Sequence, residues 1–513
     1  MNYVSLLVEF LRGRPAAVFW GVALTQAFLW TMVPALFYGA PPGELPLVLA
    51  VGREFVLGSY LGPPLAFWLG EIAFRIAGTF GVYALAQACI VVTYWAVFTL
   101  GRAIVGRRHA LLAILLMVGI SAFTVPSVDF GPAVLAAPFW ALALLLYWRA
   151  VAEARRGYWF LLAIDLGLLL LSNYIGAVLI ALLIAFTLAT RPGRRALRTS
   201  EPWVAVLPFA IVIFPHAAWL ARSYALVVAG FDDSAALIGT WSPALWLCVT
   251  LVLAHFGLML LIALASGWPQ ARKDHAPEID RHPAAPFARA YVYVFALTPA
   301  LAAIAIAFAS NRLGPLASIA PLLVLSGLAV VTAAGDRVRL YREGLVSSAW
   351  ALLLVAPPLL VVAALAVTPW IATADLAIAR PAGTEGRFFA DSFERRTAKP
   401  LEYVTGDART ASLVALGAPG RPHLYFAWAP ERSPWTSAAD LKTHGGVLVW
   451  GVTDSAGAPP AFLKSQFPEL VPEVPRSFAR AVQGLLPLIR VGWAVLRPQP
   501  APAPAPVPAP TNQ

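Results

Sequence analysis

The feature that most constrains this chain is a series of long apolar runs that recurs between residues 16 and 369. Of the 513 residues, 60% are hydrophobic and 12% are charged, which is more apolar surface than a soluble core of this length could bury. The runs predict a polytopic α-helical membrane protein of about eleven spans, plus or minus two, because about 20 apolar residues cross a bilayer. The predicted spans cover residues 16–38, 79–100, 109–124, 131–148, 158–171, 175–190, 203–220, 244–266, 290–310, 316–334 and 346–369.

The basic residues of the connectors predict how these spans are oriented. The formal net charge is +11, and more than half of the 37 Lys and Arg residues lie in compact clusters in every second connector. Such clusters mark the cytoplasmic side of a membrane protein, so the charge requires no nucleic-acid partner. We therefore expect a cytoplasmic N-terminus and a C-terminal region on the opposite side. The clusters lie at residues 12–14, 102–108, 149–156, 191–198, 272–289 and 337–342.

The first outward loop, residues 39–78, is the most polar stretch beside the membrane. From residue 40 it reads APPGELPLVLAVGREFVLGSYLGPPLAFWLGEIAFRIAG, with charges in its first half and a helix restarting at Pro63 and Pro64. This amphipathic pattern predicts interfacial helices, with the apolar side towards acyl chains and the polar side towards an aqueous cavity. An enzyme acting on a lipid head group would place its chemistry there. The second half of the loop, beginning at Pro63 and Pro64, would then line the lipid entrance.

Two acidic residues are candidates for catalysis. Glu44 opens the surface segment directly after the first span, where a carboxylate can act as a general base towards a hydroxyl or an amine. Asp129 lies in the tight turn VPSVDFGP between the third and fourth spans, and a carboxylate so near hydrocarbon is costly unless it serves a cavity. Structural alternatives remain open for both. Glu44 could be a helix N-terminal acid, and Asp129 could be a turn residue that binds nearby backbone.

Four sparse cations or potential cations lie on the side predicted to face outward. A guanidinium fork suits phosphate oxygens and can stabilise the charge that develops on a phosphate leaving group. These four residues are therefore candidates for binding a donor phosphate, although each could instead extend its side chain to the membrane interface. They are Arg53, Arg222, Arg312 and His216.

The composition changes from apolar to mixed after Trp370. Residues 371–498 contain the strand-like runs ASLVAL, HLYFAW and GGVLVW and a helical pattern in PRSFARAVQGLLPLIRV, which together predict a small α/β domain outside the membrane. Residues 499–513 form an alternating Pro/Ala tail that is expected to be extended. We therefore divide the chain into a membrane domain (1–370), a C-terminal α/β domain (371–498) and a disordered tail (499–513).

The sequence lacks the motifs of several other chemistries. No Gly-rich phosphate loop follows a strand, no His/Cys spacing suits zinc, and no G-x-S-x-G nucleophile motif occurs. We assign no cofactor and no metal ligand, and a need for a divalent metal is left open.

Several of these segments resemble one enzyme family. An acid after the first span, the run GREFVLGSYLGPPLAFWL, an Asp in the turn after the third span and the break SNYIG are similar to bacterial members of the dolichyl-phosphate-mannose protein mannosyltransferase family (glycosyltransferase family 39). The resemblance covers roughly the first 320 residues and includes PHAAWL and RLGPL. It matches Glu44 and Asp129 to the acids of the first two loops, and Tyr174 to the tyrosine of a Lys-Tyr pair that lines the cavity. Asn173 stands at the Lys of that pair, Gly43 at the Asp of an Asp-Glu pair, and Gly62 at the His of a His-Pro-Pro motif.

The resemblance implies a GT-C fold and a place in the bacterial inner (plasma) membrane, with the C-terminal domain in the periplasm. It also implies transfer of a hexose or pentose from a polyprenyl-phosphate carrier to a lipid, glycan or protein acceptor on the periplasmic side. The expected partners are thus the lipid-linked sugar donor, that acceptor and membrane lipid. Two alternatives stay open, a transporter or flippase of lipid-linked sugars and a non-catalytic relative. A transporter usually carries its charges at the bilayer midplane within repeated halves, whereas the acids here gather at one face.

Overall fold

A computed structural model describes residues 13–232, 241–266, 278–280, 283–339, 341–371, 375–452 and 457–499. The chain divides into two compact units between Thr368 and Pro369. The Pro/Ala tail lies outside the described residues, apart from its first residue.

The first unit is helical. Among the described residues, six helical stretches are long and apolar enough to cross a membrane, or seven if the pair Pro243–Ala254 and Phe256–Ala265, which bends by 42°, counts as one span. The chain is therefore a helical membrane protein, while the number eleven stays a prediction. The helices are α1 (Pro15–Phe37), α2 (Leu45–Gly52), α3 (Leu65–Met117), α4 (Pro132–Val151), α5 (Tyr158–Ser172), α6 (Gly176–Ala189), α7 (Arg191–Ala196), α8 (Glu201–Val204), α9 (Val206–Asp232), α10 (Pro243–Ala254), α11 (Phe256–Ala265), α12 (Pro286–Ser310), α13 (Ile319–Leu322), α14 (Ser326–Ala333) and α15 (Glu343–Ile371).

Two breaks divide α3 into three arms. The backbone leaves the helical region at Ala77 and Gly78 and again at Gly106, which has φ +79°. A Cβ on Gly101 would lie 2.9 Å from the Cβ of Ala110, whereas residues nine apart in a straight helix are about 13 Å apart. The chain therefore reverses at Gly106, where a left-handed φ favours glycine. The arms are residues 65–76 in the first loop, 79–105 and 107–117.

The third arm of α3 is shorter than the predicted third span, 109–124. The α-helix ends at Met117, and two turns of 3-10 helix follow, Ser121–Phe123 and Val125–Val128. The hydroxyl groups of Thr124 and Ser127 bond to backbone carbonyls three residues earlier, which satisfies the backbone in a tighter turn.

An aromatic cluster holds the middle of the first unit. The rings of Tyr147 on α4 and Tyr291 on α12 are stacked with centroids 5.9 Å apart. Tyr147 also shares a hydrogen bond of 2.8 Å with Thr187 on α6, and Tyr291 donates to the carbonyl of Leu144 at 2.7 Å. These buried contacts join three helices, so the loops at their ends start from a fixed frame.

Two short antiparallel strands, β1 (Glu278–Asp280) and β2 (Arg337–Arg339), join two of the predicted basic connectors of the first unit.

The second unit is a small α/β fold, as predicted, and its periplasmic location stays a prediction. Its described elements are β3 (Tyr403–Gly406), β4 (His423–Tyr425), β5 (Gly446–Gly451), β6 (Arg476–Phe478), β7 (Ile489–Leu496), α16 (Ala382–Thr397), α17 (Ala408–Gly417), α18 (Ala438–His444) and α19 (Ala461–Gln466). These five strands have the order β4-β3-β5-β7-β6; β3 is parallel to β4 and β5, and β7 is antiparallel to β5 and β6.

Two of the local predictions in this unit are wrong. The strand-like run ASLVAL lies in α17, whose first turn is capped by Asp407 accepting from the backbone N–H of Thr410 at 2.8 Å. The predicted helix PRSFARAVQGLLPLIRV instead forms β6, a turn and the start of β7. The turn is fixed by Arg480, which donates to Asp375 and to the carbonyl of Pro487. The predicted strands at HLYFAW and GGVLVW correspond to β4 and β5.

Candidate active site

Asp129 caps a helix that lies 85 residues earlier in the sequence. Its carboxylate accepts from the backbone N–H of Glu44 (3.2 Å to Oδ1 and 3.3 Å to Oδ2) and from that of Leu45 (3.0 Å to Oδ1). These N–H groups open α2, where a helix leaves its first amides without internal partners and favours negative charge. The structure thus brings Glu44 and Asp129 together, through the backbone of the first and the side chain of the second.

Gly43 makes this approach possible. Its φ is +51°, and a Cβ built on it would lie 1.8 Å from Oδ2 of Asp129. Any side chain at this position would displace the carboxylate. The same geometry leaves the side chain of Glu44 exposed, whereas Asp129 is half-buried. The resemblance identified Gly43 only as a departure from an Asp-Glu pair, and the structure gives the physical reason for a glycine.

Buried polar side chains hold the turn that carries Asp129. Gln87 on α3 donates to the hydroxyl of Ser127 at 2.9 Å, and Gln26 on α1 donates to the carbonyl of Phe123 at 2.7 Å. Tyr94 in turn donates to Gln26 at 3.3 Å. Sequence reasoning missed both glutamines. The signal was an isolated amide within an apolar run, which must find a buried partner.

The second half of the first loop is stabilised by an ion pair between a buried carboxylate and an exposed arginine. Glu71, which is 1% exposed, accepts from Arg75 one turn later at 2.7 Å. Arg75 also lies over the ring of Phe55, with its guanidinium carbon 5.1 Å from the centroid. A Cβ on Gly52 would meet the backbone of Phe67, so α2 and the start of α3 are in close contact. The i,i+4 spacing of Glu71 and Arg75 was the sequence signal for this pair.

His216 links three parts of the first unit. Its Nδ1 donates to the carbonyl of Leu57 at 2.7 Å, because a carbonyl can only accept. In the neutral ring Nε2 then accepts from the hydroxyl of Tyr174 at 3.1 Å. The imidazole is 3% exposed and stacks on Trp219. Both ring nitrogens contact protein groups, so this arrangement offers neither of them to a phosphate.

Further contacts place several predicted loops at one end of the first unit. A Cβ on Gly230 in α9 would lie 2.0 Å from the carbonyl oxygen of Tyr60 in the first loop. The ring centroids of Phe231 and Tyr174 are 6.0 Å apart, and Phe231 also lies against Gly314 in the turn after α12. The first loop, the break at Tyr174, the end of α9 and the turn after α12 therefore share one end of the helical unit.

The three predicted arginines occupy different places around this end. Arg53 is half-buried directly after α2, and Arg312 is exposed two residues before Gly314. Arg222 is exposed on α9, eight residues before Gly230 and next to the kink of this helix at Ser223. Pro63 and Pro64 are buried immediately before α3.

A metal site is a separate question. In the part of the chain that the structure describes, no group of three or more His, Cys, Asp and Glu side chains is placed to hold a metal ion.

Comparisons with known proteins bear on this site. Residues 62–219 match the family model described as dolichyl-phosphate-mannose-protein mannosyltransferase, which confirms the resemblance seen in the sequence. The match contains Asp129, Tyr174 and His216, and begins after Glu44. A search of curated proteins finds no match.

Solved structures of membrane glycosyltransferases are similar in outline. ArnT from Cupriavidus metallidurans in the apo state is 13% identical, with a TM-score of 0.46 over 94% of this chain and 97% of that chain. The same protein bound to undecaprenyl phosphate is 12% identical, with a TM-score of 0.41 and the same coverage. The Archaeoglobus fulgidus oligosaccharyltransferase in the apo form is 12% identical, with a TM-score of 0.41 over 84% of this chain and 69% of that chain. Similarity at this level assigns no activity or substrate to this chain.

Proposed function

We propose that this protein is a membrane glycosyltransferase of the GT-C type, which moves a sugar from a polyprenyl-phosphate donor to a lipid, glycan or protein acceptor. The observation that carries the proposal is the contact of Asp129 with the backbone of Glu44 at the head of α2. The contact supports a shared location for these two residues, and the turn that supplies Asp129 lies within the segment that matches a mannosyltransferase family model. We place the site on the outward side of the membrane because the basic clusters lie in the alternate connectors. The family resemblance implies that this is the periplasmic side of a bacterial inner membrane.

The two carboxylates differ in exposure, which supports different tasks for them. Glu44 is exposed at the loop surface and can take the proton from an acceptor O–H or N–H. As that proton leaves, the acceptor atom bonds to the anomeric carbon, and the bond from this carbon to the phosphate oxygen breaks. The electron pair of that bond stays with the polyprenyl phosphate. Asp129 acts as a positioning residue, since its carboxylate fixes the backbone that carries Glu44.

Arginines supply charge for the departing phosphate. Arg53 follows directly on α2, and Arg312 lies in the turn that contacts Phe231. A guanidinium positioned at the phosphate is worth most where negative charge develops in the transition state. Arg222 is the third candidate, because it lies on the same helix as Gly230, which contacts the first loop. His216 and Tyr174 hold the loop and α9 together.

The experiment is a transfer assay with the full chain in detergent. Purified protein is incubated with radiolabelled polyprenyl-phosphate sugars and a membrane extract, and labelled acceptor is measured. Glu44→Gln is expected to lower the rate by about 10²- to 10⁴-fold, the usual contribution of a general base. Glu402→Gln, at an exposed glutamate of the second unit, is the matched control and is expected to retain the wild-type rate. If Glu44→Gln transfers the sugar at the full rate, Glu44 is not the general base.

Sealed vesicles separate the proposal from a transporter. Label that becomes protected inside vesicles without any labelled acceptor supports flipping and contradicts transfer.

For the phosphate assignment, Arg53→Ala and Arg312→Ala are compared with Arg195→Ala, an exposed arginine of a basic connector. Donor binding that is unchanged in both test variants rules these two arginines out.

A further inference from the structure

A cavity of about 430 Å³ lies where the 79–105 arm of α3 and the helix α4 end. Its volume is within the range of small-molecule sites in proteins. Trp95 and Arg102 lie seven residues apart on the α3 arm, so they share one face of it. Arg149 lies in the last turn of α4, and Glu153 follows two residues after the end of that helix. Arg107 and Arg155 complete the charged part of the lining.

This cavity is separate from the candidate active site. The α3 arm starts after Gly78 in the first loop, and Arg102 follows 24 residues later, which is about 36 Å in a helix. The hydrocarbon layer of a bilayer is about 30 Å thick. The cavity therefore lies at the opposite end of this arm, among the basic connectors, and none of its residues takes part in the proposed transfer.

The charge of the cavity calls for an anion. Four guanidinium groups face a single carboxylate, Glu153, which pairs with Arg155 at 3.0 Å. Arg149 is held in place because it donates to the hydroxyl of Tyr158 at 2.8 Å and lies over the same ring. The lining keeps a net charge of +3, and its cations repel one another at the edge of a low-dielectric layer. Phosphate oxygens match the fork of an arginine, so a ligand with about two phosphate charges offsets this repulsion.

The apolar part of the lining favours a lipid over a free anion. Trp95, Ala103 and Leu145 line the same cavity as the arginines. Trp95 is 38% exposed on a membrane helix, the position that indole rings prefer at the membrane interface. An amphiphile can place its phosphates against the arginines and the start of its acyl chains against this apolar wall. We propose that the cavity binds the phosphate head group of an anionic membrane phospholipid, with preference for a head group that bears two phosphates.

Lipid binding by the intact protein tests this proposal. The full chain in a neutral detergent is titrated with diphosphatidylglycerol, phosphatidylglycerol and phosphatidylcholine, and bound lipid is counted by native mass spectrometry. Arg102→Gln/Arg107→Gln/Arg149→Gln is expected to weaken diphosphatidylglycerol binding about 100-fold, because each basic residue near a membrane surface contributes about fivefold. Phosphatidylcholine is expected to bind weakly to both proteins. The expected order of affinity for the wild-type protein is diphosphatidylglycerol, then phosphatidylglycerol, then phosphatidylcholine.

Two further variants make the result specific. Arg191→Gln/Arg195→Gln/Arg198→Gln removes three exposed arginines from a different basic connector and is expected to change affinity less than twofold. Glu153→Gln removes the one carboxylate of the lining and is expected to tighten binding several-fold, a gain that misfolding cannot produce. Equal losses in both triple variants would show general attraction to basic connectors and overturn the site. Full competition by millimolar inorganic phosphate would show a free-anion site, and unchanged affinity in Glu153→Gln would remove the electrostatic argument.

Discussion

Replacing Asp129 with asparagine tests the joint between the first two loops. The change keeps the size of the side chain but removes the charge, and it can present an amide N–H where the backbone N–H of Glu44 or Leu45 needs an acceptor. Helix caps contribute about 0.5–2 kcal/mol, and hydrogen bonds to charged groups about 1.5–3 kcal/mol. We expect a loss of about 1–2 kcal/mol in the local stability of α2, which corresponds to a change of about 5- to 30-fold in local opening.

Hydrogen–deuterium exchange of the full chain measures this loss directly. Peptides that cover residues 43–52 are expected to exchange about 5- to 30-fold faster in Asp129→Asn, while peptides from α12 stay unchanged. Glu44→Gln is the matched control, because Glu44 enters the contact through its backbone N–H and its side chain is exposed. It is expected to leave exchange unaltered while it lowers transfer. Unchanged exchange in Asp129→Asn would refute the cap, and faster exchange in Glu44→Gln would refute the division of tasks.

Gly43 provides an independent check of the same geometry. Gly43→Ala places a Cβ about where Oδ2 of Asp129 lies, so it disturbs the same contact from the other side. Asp129→Ala relieves this clash. The double variant is therefore expected to be more stable than the sum of the two single losses predicts, with a coupling of about 0.5–3 kcal/mol. Additive losses would show that Gly43 and Asp129 do not touch.

Three further predictions concern other parts of the chain. Gln87→Leu removes the hydrogen bond to Ser127 and is expected to lower kcat for transfer at least tenfold with normal expression, because displacement of a catalytic group by about 1 Å costs up to about 10²-fold. Transfer at the wild-type rate would show that Gln87 does not position the turn that carries Asp129. Glu385 is 0% exposed and binds Arg380 through both oxygens, so Glu385→Gln is expected to destabilise the second unit by about 3–5 kcal/mol, measured by exchange in β3 and β5; a small effect would show that water reaches the pair. Hydrogen bonds from Ser437 lower the pKa of Asp440, so the capping box at the start of α18 is complete above the unfolded pKa of about 3.9 and is lost as pH falls through the lower folded pKa. Hydrogen exchange in α18 is therefore expected to rise in acid beyond its intrinsic rate for the wild-type protein, and not for Asp440→Asn.

The apolar runs predicted the helical unit because hydropathy depends only on which residues are consecutive. The same property explains the errors in the second unit. ASLVAL is short and apolar, and such a run fits a buried helix as well as a buried strand. Its helical state depends on the cap at Asp407, whose second oxygen also accepts from Gly451 on β5, a contact that only the folded sheet provides. PRSFARAVQGLLPLIRV has helical spacing, yet its two ends pair with each other as β6 and the start of β7. The rest of β7 pairs with β5, so the folded sheet determines the conformation of this segment.

The candidate site shows the same limit from the other direction. Topology alone placed Glu44 and Asp129 on one side of the membrane, and residue type alone suggested a base at each. The manner of their contact depends on the left-handed φ of Gly43 and on a 3-10 turn before Asp129, and neither is visible in composition. His216 shows the consequence. Its sequence position suited a phosphate, whereas its burial against Leu57 and Tyr174 makes it a link between the first loop and α9.

The location of Asp129 on a turn explains why so many polar groups are buried near it. A turn of 3-10 helix has weaker backbone geometry than an α-helix, so it cannot by itself hold a side chain in one place. Gln26 and Gln87 reach this turn from two different helices of the apolar unit, and each is 1% exposed. Burying two amides costs free energy unless their polar atoms find partners. Both amide N–H groups donate to the turn, whereas Oε1 of Gln87 is buried without a hydrogen-bond partner among the described residues. The burial of both amides beside this turn supports the proposal that the position of Asp129 is important for orienting Glu44.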